Sequence, residues 1–248
     1  MVDLAVENRP YAEADEAVGN KVLWNRGYLF HTASIGTPTT VQSLISGAST
    51  NLNYPANQIT AYVKSTNNVA DVAAGTGAQR AKLTYLDLAG SIKTAEADLN
   101  GTTAVQICTD FYRALGLEVV RVGSGGYNVG QLTIVNLAGT ETYYHMDETT
   151  NNGGSCVLTV PAGYTGIVRE PFLSQNNGRA IQQLWIREQN GVWQLRGQMD
   201  IWGGEQDSRI PAIQVPAMTD VELRGTTDAV AGVLSWHRLE IVCLPLAP

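Results

Sequence analysis

The chain has 248 residues, of which 44% are hydrophobic and 16% are charged, and its formal net charge at pH 7 is −7. A net negative charge gives no excess of basic residues to bind a phosphate backbone, which argues against nucleic-acid binding. No apolar run reaches about 18 residues, and the first ten residues are not a basic stretch followed by an apolar one, so neither a membrane span nor a cleavable secretion signal is predicted.

The first predicted element is an extended arm at residues 1–20. This segment contains the acidic run Glu13–Glu16 and has no sustained hydrophobic periodicity. In an assembly, such an arm can lie across a neighbouring subunit; the alternative is a frayed chain terminus. Arg9 and Tyr11 are the candidate contact residues of the arm.

Residues 21–248 are predicted to form an antiparallel β-sandwich, jelly-roll-like, as one unit or as two packed sub-sandwiches with a break near residue 160. Thr, Asn and Gly are poor helix formers, and short alternating segments recur between turn residues. The predicted strands are Lys21–Phe30, Val41–Ile45, Gln58–Val63, Ala81–Leu86, Ala104–Phe111, Leu117–Val122, Gln131–Val135, Thr142–Met146, Cys156–Val160, Ile181–Arg187, Val192–Ile201 and Val233–Leu244.

Three local patterns refine this prediction. Asn100-Gly101 suits a type I′ hairpin turn, because both positions tolerate positive φ. In the hairpin after Ile181, the alternation over Val192–Ile201 places Trp193 and Leu195 on a core-facing side. Only Ala12–Val18 and Tyr112–Leu117 could form helices, and both are short.

The three cysteines are predicted to be small buried core residues of a protein made in a reducing cytoplasm. Cys108, Cys156 and Cys243 have apolar or β-forming neighbours and form no CxxC or CxxH pair. A disulfide framework or zinc site is therefore not expected.

No motif predicts a catalytic, cofactor-binding or metal-ligating residue. The loop Gly123–Asn128 lacks the last glycine of a dinucleotide loop. Residues 145–148, His-Met-Asp-Glu, are interpreted as a solvated turn, with a weak alternative as a metal site. Carboxylate pairs for glycoside hydrolysis could come from Asp98, Asp110, Asp200, Glu205 or Asp207, but sequence spacing does not give their separation in space.

Aromatic residues support a second hypothesis, carbohydrate binding. A sugar-stacking platform, as in β-sandwich lectins, could be formed by Trp185, Trp193, Trp202 and Trp236 with Tyr143 and Tyr144. The alternative for this aromatic set is a core or subunit interface. Trp202 precedes Gly203-Gly204 and is expected on a loop, so Trp202, Tyr143 and Tyr144, with Arg9 and Tyr11, are the predicted contact surface.

Six blocks of strand and turn residues lie between roughly residues 70 and 244: Asp71–Arg80, Leu83–Gly90, Thr94–Val105, Gly123–Ile134, Leu158–Ile167 and Val215–Leu223. In the same order, these blocks resemble a family of virion structural proteins from tailed bacteriophages, many of them marine. The chain departs from the family pattern at Tyr164 and in the segment Trp185–Trp202.

The resemblance implies a non-enzymatic β-sandwich component of the particle, with no catalytic residue to carry over. Such a component would be a decoration or minor capsid protein that stabilises the particle through subunit contacts. Its partners would be the major capsid protein or other virion proteins and further copies of itself, a trimer being one arrangement. A glycan-binding host-recognition module on a tail or head fibre is the alternative, and a glycan-degrading enzyme is the third class considered.

Overall fold

The computed structural model describes residues 23–33, 42–43, 51–152, 155–207, 212–227 and 233–246. Within these ranges every helix or strand assigned is a β-strand, and every strand pair is antiparallel, which confirms the predicted fold class for this part of the chain. Among the same residues no helix is long and apolar enough to cross a membrane.

The structure describes fifteen strands. They are β1 (Leu23–Ala33), β2 (Gln42–Ser43), β3 (Ile59–Ser65), β4 (Ala78–Leu86), β5 (Ile92–Asp98), β6 (Val105–Phe111), β7 (Arg113–Val122), β8 (Leu132–Val135), β9 (Thr142–Met146), β10 (Val157–Thr159), β11 (Tyr164–Arg187), β12 (Gln194–Asp207), β13 (Ile213–Val215), β14 (Asp220–Thr227) and β15 (Val233–Pro245).

Strands β3 to β9 form a sandwich of two sheets, ordered β6-β3-β8-β9 and β5-β4-β7. Side chains alternate along a strand, so every second residue of β4, namely Ala81, Leu83 and Tyr85, enters the core between the sheets. From the facing sheet, the Phe111 ring lies 6.2 Å from the Tyr85 ring and 5.4 Å from the Tyr143 ring, centroid to centroid. These residues belong to the first apolar core of the chain.

Two glycine-rich loops of this sandwich pack backbone against backbone. The N–H of Gly123 donates to the carbonyl of Gly77 at 2.8 Å, and the N–H of Gly125 donates to the carbonyl of Thr76 at 2.7 Å. A Cβ atom at Gly123 would lie 2.1 Å from the carbonyl oxygen of Gly75, a distance that real Cβ atoms do not adopt. Glycine is therefore required at position 123 for the packing of the two loops.

The buried carboxylate of Asp71 connects the same loops. Its Oδ1 accepts hydrogen bonds from the N–H groups of Ala78 and Val129, at 2.8 and 3.0 Å. Its Oδ2 accepts from the hydroxyl of Ser65 and the N–H of Gly130, at 2.6 and 2.7 Å. Asp71 has 0% exposure, so four donors from three segments of chain depend on one acceptor group shielded from water.

Outside this sandwich lies an eight-stranded sheet, which we call the second sheet. Its strand order is β1-β15-β11-β14-β10; in addition, β11 pairs with β12 and β13, and β14 pairs with β2. Strand β11 is 24 residues long and is interrupted by register shifts at 169/172, 175/179 and 184/185. This sheet carries a second apolar core. Its buried members are Cys156, Leu158, Val160, Val168, Leu184, Ile186, Val215, Val221, Leu223, Ile241 and Cys243.

Several sequence predictions need correction. The segment Tyr112–Leu117 is not a helix, because residues from Arg113 onward form β7 against β4. Asn100-Gly101 joins β5 to β6, which lie in different sheets, and only Gly101 has positive φ (59°), so it is not a type I′ hairpin. Leu195 is 46% exposed because a register shift opposite Leu184/Trp185 breaks the alternation of its strand.

Other predictions are confirmed or lie outside the described residues. Cys108, Cys156 and Cys243 are buried free thiols, as predicted. The two cores share the segment around β10, where Val157 belongs to the first core and Cys156 and Leu158 belong to the second, and the domain bounds themselves stay a prediction. The arm, residues 1–20, lies outside the described part of the chain.

Candidate functional site

Aromatic rings and arginine guanidiniums alternate in one row where the first sandwich meets the second sheet. We call this row the arginine ladder. In order, its members are Trp185, Arg224, Trp193, Arg187, Tyr54, Arg113 and Tyr112.

The outer part of the arginine ladder is built on β11, β14 and the turn before β12. The guanidinium carbon of Arg224 lies 4.9 Å from the ring centroid of Trp185 and 4.6 Å from that of Trp193. Arg187 lies 4.6 Å from the same Trp193 ring. Two cations thus contact one indole, an arrangement favoured by the negative face of the ring.

The inner part reaches into the first sandwich. Arg187 lies 4.7 Å from the ring centroid of Tyr54, and Arg113 lies 5.5 Å from that ring and 3.9 Å from the ring of Tyr112. Tyr54 also meets Trp193 edge to face, with centroids 5.0 Å apart. Residues distant in sequence therefore meet through ring contacts at several points of the arginine ladder.

Asp220 supplies the negative charge at the inner end of the arginine ladder. Its Oδ1 accepts hydrogen bonds from Nε of Arg113 at 2.8 Å and from the hydroxyl of Thr159 at 2.6 Å. Its Oδ2 accepts from Nε of Arg187 at 3.0 Å. The side chains of Asp220 and Arg113 are 4% and 7% exposed, so this is a buried ion pair whose hydrogen bonds replace the water that both groups lose.

Glu222 is the carboxylate that pairs with Arg224, whose Nε donates to Glu222 Oε2 at 3.0 Å. Residues 220, 222 and 224 alternate along β14 and so share one face of the sheet. The intervening residues Val221 and Leu223 belong to the second apolar core. One strand thus has an apolar face towards that core and an ionic face towards the arginine ladder.

The charged and aromatic groups of this cluster bind one another and so cross-link the strands that carry them. Burial, and then the negative charges of Glu222 and Asp220, raise the pKa of the Tyr54 hydroxyl well above its usual value, so Tyr54 stays protonated. The cavity beside Tyr54, Arg113 and Thr159 has room for about one water molecule, far less than an organic substrate needs.

Sequence analysis singled out Trp185 and Trp193 but missed the charged members of the arginine ladder. Part of the cluster occupies every second position of two strands, which places these residues on one face of each strand. On β14 they are Asp220, Glu222 and Arg224, and on β11 they are Trp185 and Arg187. In the β11–β14 register, Arg187 lies opposite Asp220 and Trp185 lies opposite Glu222. Without knowledge of that register, the two patterns cannot be assigned to each other.

The structure describes the side chains of two of the five predicted contact residues, Tyr143 and Tyr144. Tyr143 and Tyr144 are only 5% and 3% exposed, because both rings lie in the first apolar core. The backbone of Trp202 lies in β12 and not in a loop, opposite Arg179, and its side chain lies outside the described part of the structure. Arg9 and Tyr11 also lie outside the described residues, so their contact role stays a prediction.

Of the five acids considered for glycoside hydrolysis, the three whose side chains the structure describes are each bound by a basic residue. Glu205 and Asp207 lie in β12, with side chains outside the described part. In Asp98, Asp110 and Asp200, the hydrogen bond from the basic residue lowers the pKa of the carboxyl group, whereas a general acid needs a raised pKa. The pairs are Arg80 with Asp98 at 2.7 Å, Lys93 with Asp110 at 2.6 Å, and Arg179 with Asp200 at 2.9 Å.

His145 is buried, which corrects its interpretation as part of a solvated turn. The residue lies in β9 with 2% exposure, and its ring nitrogens form no hydrogen bond with any described residue. Burial lowers the pKa of the imidazole to about 4, and Asp147 opposes this shift only in part. In the described part of the chain, no three His, Cys, Asp or Glu side chains are grouped to hold a metal ion.

This burial predicts a pH dependence of stability. The unfolded chain binds a proton at His145 below about pH 6.5, whereas the folded chain does so only below about pH 4. The free energy of unfolding should therefore fall by up to about 3 kcal/mol as the pH decreases through this window. Urea unfolding of wild type and His145→Leu at several pH values tests this: their difference should change with pH, and parallel curves would contradict it.

No family model and no curated protein matches the chain. The solved structures with similarity to it include particles of infectious bursal disease virus. The T13 particle is 10% identical with a TM-score of 0.25, covering 91% of this chain and 69% of that chain. The Gx strain is 11% identical with a TM-score of 0.23, covering 91% and 72%. The VP2 subviral particle is 10% identical with a TM-score of 0.24, covering 92% and 72%. The likeness to these viral particle proteins is weak, and TM-scores of this size do not establish a shared fold.

Proposed function

We propose that the chain is a non-enzymatic structural component of a tailed-bacteriophage virion, which decorates the capsid and stabilises it through subunit contacts. Its partners are the major capsid protein or other virion proteins and further copies of the chain. It is made in the cytoplasm of the host bacterium and functions in the particle, where each contact formed only on assembly adds to particle stability.

The length of β11 is the observation that carries this proposal. A strand of 24 residues has a contour length of about 80 Å, at about 3.3 Å per residue. A compact chain of this size has a radius of gyration of about 18 Å, hence a diameter of about 45 Å. β11 is paired with β12 and β13 along one edge and with β14 and β15 along the other. The sheet built on this strand therefore extends beyond a compact domain, and its outer strands can be covered by a neighbouring subunit.

The ordered sequence blocks support the proposal at the level of the fold. The blocks Asp71–Arg80 and Gly123–Ile134 meet through the carboxylate of Asp71 and the glycine contacts of the two loops. They are therefore parts of one structural connection rather than separate turns, and a shared fold is what a family of structural proteins would retain.

The glycan-binding alternative has less support from the aromatic residues that the structure describes. The Trp193 ring already contacts Arg187, Arg224 and Tyr54, so a stacked sugar would have to displace one of them. The alternative now depends on Trp202 and Trp236, whose side chains lie outside the described part.

The test is binding to particles that lack the chain. Purified protein is mixed with virions of the encoding phage from which its gene has been deleted, and sedimented particles are analysed for bound protein and for resistance to heat. We expect saturable binding and a higher disruption temperature. Folded protein that stays in the supernatant and leaves the particles unchanged would refute the proposal.

A variant pair tests the contact residues of the arm. Arg9→Ala combined with Tyr11→Ala should weaken particle binding if the arm lies across a neighbour. Arg121→Ala combined with Tyr127→Ala removes the same residue types from the exposed surface of the first sandwich and serves as the control. Equal binding by both double variants would contradict the role of the arm.

A further inference from the structure

Four asparagine–glycine pairs occur in the chain, and the structure describes the side chains and backbone of two of them. Asn100-Gly101 joins β5 to β6, and Asn190-Gly191 lies in the turn between β11 and β12. Both asparagines are exposed. The other two pairs, at 152–153 and 177–178, lie partly outside the described part of the chain, so the comparison concerns Asn100 and Asn190.

An asparagine–glycine pair can deamidate spontaneously through a cyclic imide. The backbone nitrogen of the glycine loses its proton to water and attacks Cγ of the asparagine, so that a new C–N bond forms while the Cγ–Nδ2 bond breaks and ammonia leaves. Water then opens the succinimide at either carbonyl, which gives aspartate or isoaspartate. Glycine favours the reaction because it has no Cβ to shield its nitrogen and its backbone rotates freely. The rate in a folded chain therefore depends on whether the peptide unit between the two residues can rotate.

The backbone of Asn100-Gly101 is fixed by distant segments of the chain. The N–H of Gly101 donates to the backbone carbonyl of Asp71 at 2.8 Å, and the carbonyl of Gly101 accepts from the N–H of Ser65 at 2.8 Å. Gly101 is buried, and a Cβ atom there would lie 2.7 Å from Cα of Asn68. Rotation of this unit would leave buried donors and acceptors unpaired, which is costly. Asn100 therefore cannot form the imide unless this part of the sandwich opens, although its own side chain is exposed.

The backbone of Asn190-Gly191 is held by a local contact in an exposed turn. The N–H of Gly191 donates to the carbonyl of Glu188 at 2.9 Å, and all four residues of the turn, 188–191, are exposed. The three atoms nearest to a Cβ placed on Gly191 all belong to Glu188. Asn190 has a φ of 61°, a left-handed conformation that a residue with a side chain adopts at some cost. Water can replace the turn hydrogen bond, and the turn lies outside the paired residues of β11 and β12, so the peptide unit can rotate while the strands stay paired.

We infer that Asn190 is a site of spontaneous deamidation in the folded chain, whereas the fold protects Asn100. The product replaces a neutral amide with a carboxylate, and isoaspartate also adds one carbon to the backbone of the turn. Because the turn connects Arg187 with Trp193, the reaction places a new negative charge between two members of the arginine ladder. This inference goes beyond the proposed function and does not depend on it.

Peptide mapping by mass spectrometry, after incubation of the intact chain at mildly alkaline pH, measures the reaction. In the folded protein the peptide with Asn190 should gain the mass of a deamidation and separate into aspartate and isoaspartate forms, while the peptide with Asn100 stays unchanged. Asn57 is exposed but precedes Gln58, so it is the internal control and should not react. In concentrated urea Asn100 and Asn190 should react at similar rates, because only the local sequence then matters.

Two variants of the same turn separate the imide mechanism from simple exposure of the amide. Gly191→Ala places a methyl group beside the attacking nitrogen, and Asn190 should stay intact over the period in which half of the wild type reacts. Gln189→Ala changes the turn but keeps the asparagine–glycine pair, so it should react like wild type. An Asn190 that stays intact in the folded wild type, equal rates at Asn100 and Asn190 in the folded state, or an unchanged rate in Gly191→Ala would overturn the inference.

Discussion

Asp220→Ala is expected to lower the free energy of unfolding by about 3–5 kcal/mol, because it leaves a buried guanidinium without its carboxylate. Arg113 is 7% exposed at its side chain and depends on Asp220 for two hydrogen bonds, at 2.8 and 3.3 Å. Arg187 and the Thr159 hydroxyl lose the same acceptor. Urea unfolding followed by tryptophan fluorescence suits the measurement, since Trp185 and Trp193 belong to the same ladder.

Asp200→Ala is the matched control, because it removes an aspartate–arginine pair of similar geometry from an exposed site. The side chains of Arg179 and Asp200 are 38% and 36% exposed, so water replaces the lost contact at a cost of at most about 1 kcal/mol. Equal losses for the two variants would mean that the Arg113–Asp220 pair is hydrated in solution, and that the arginine ladder does not join the sandwich to the second sheet.

Alternation of apolar and polar residues was enough to predict strands that have one buried face. β9 was predicted with its observed bounds, Thr142–Met146, and β3, β4 and β6 were found within a few residues. β5 was missed because nearly all of its residues are exposed, which leaves no apolar period to detect. The hydrophobic segment Tyr112–Leu117 resembled a helix, since a strand buried on both faces loses its alternation as well.

The candidate site was harder to predict than the strands because its contacts are non-local. Arg113 and Asp220 are separated by 107 positions, and neither lies in a pattern typical of a functional site. Even on one hairpin, the register shift opposite Leu184/Trp185 turned Leu195 outward against the prediction. Local hydrophobic periodicity predicts individual strands. The charged residues that pair between strands depend on the register of those strands, which could not be derived from the sequence alone.

Asp71→Ala should have a comparable effect, about 3–5 kcal/mol, through a different mechanism. The substitution leaves the N–H groups of Ala78, Val129 and Gly130 without an acceptor in a site that has 0% exposure at Asp71. Each buried unpaired donor costs about 1–3 kcal/mol, and partial entry of water keeps the total below the sum. Hydrogen exchange at these three amides should accelerate more than exchange in the second sheet.

Asn136→Ala is the matched control, because it removes a side-chain acceptor of backbone N–H groups from an exposed site instead of a buried one. The Asn136 carbonyl also accepts from backbone N–H groups, those of Thr140 and Glu141 at 2.9 and 3.3 Å, but in an exposed turn where water can replace it. Its loss should cost about 1 kcal/mol or less. If Asp71→Ala were as mild as Asn136→Ala, the two glycine-rich loops would be held by their backbone contacts alone, and the geometry of the loops would not depend on the carboxylate.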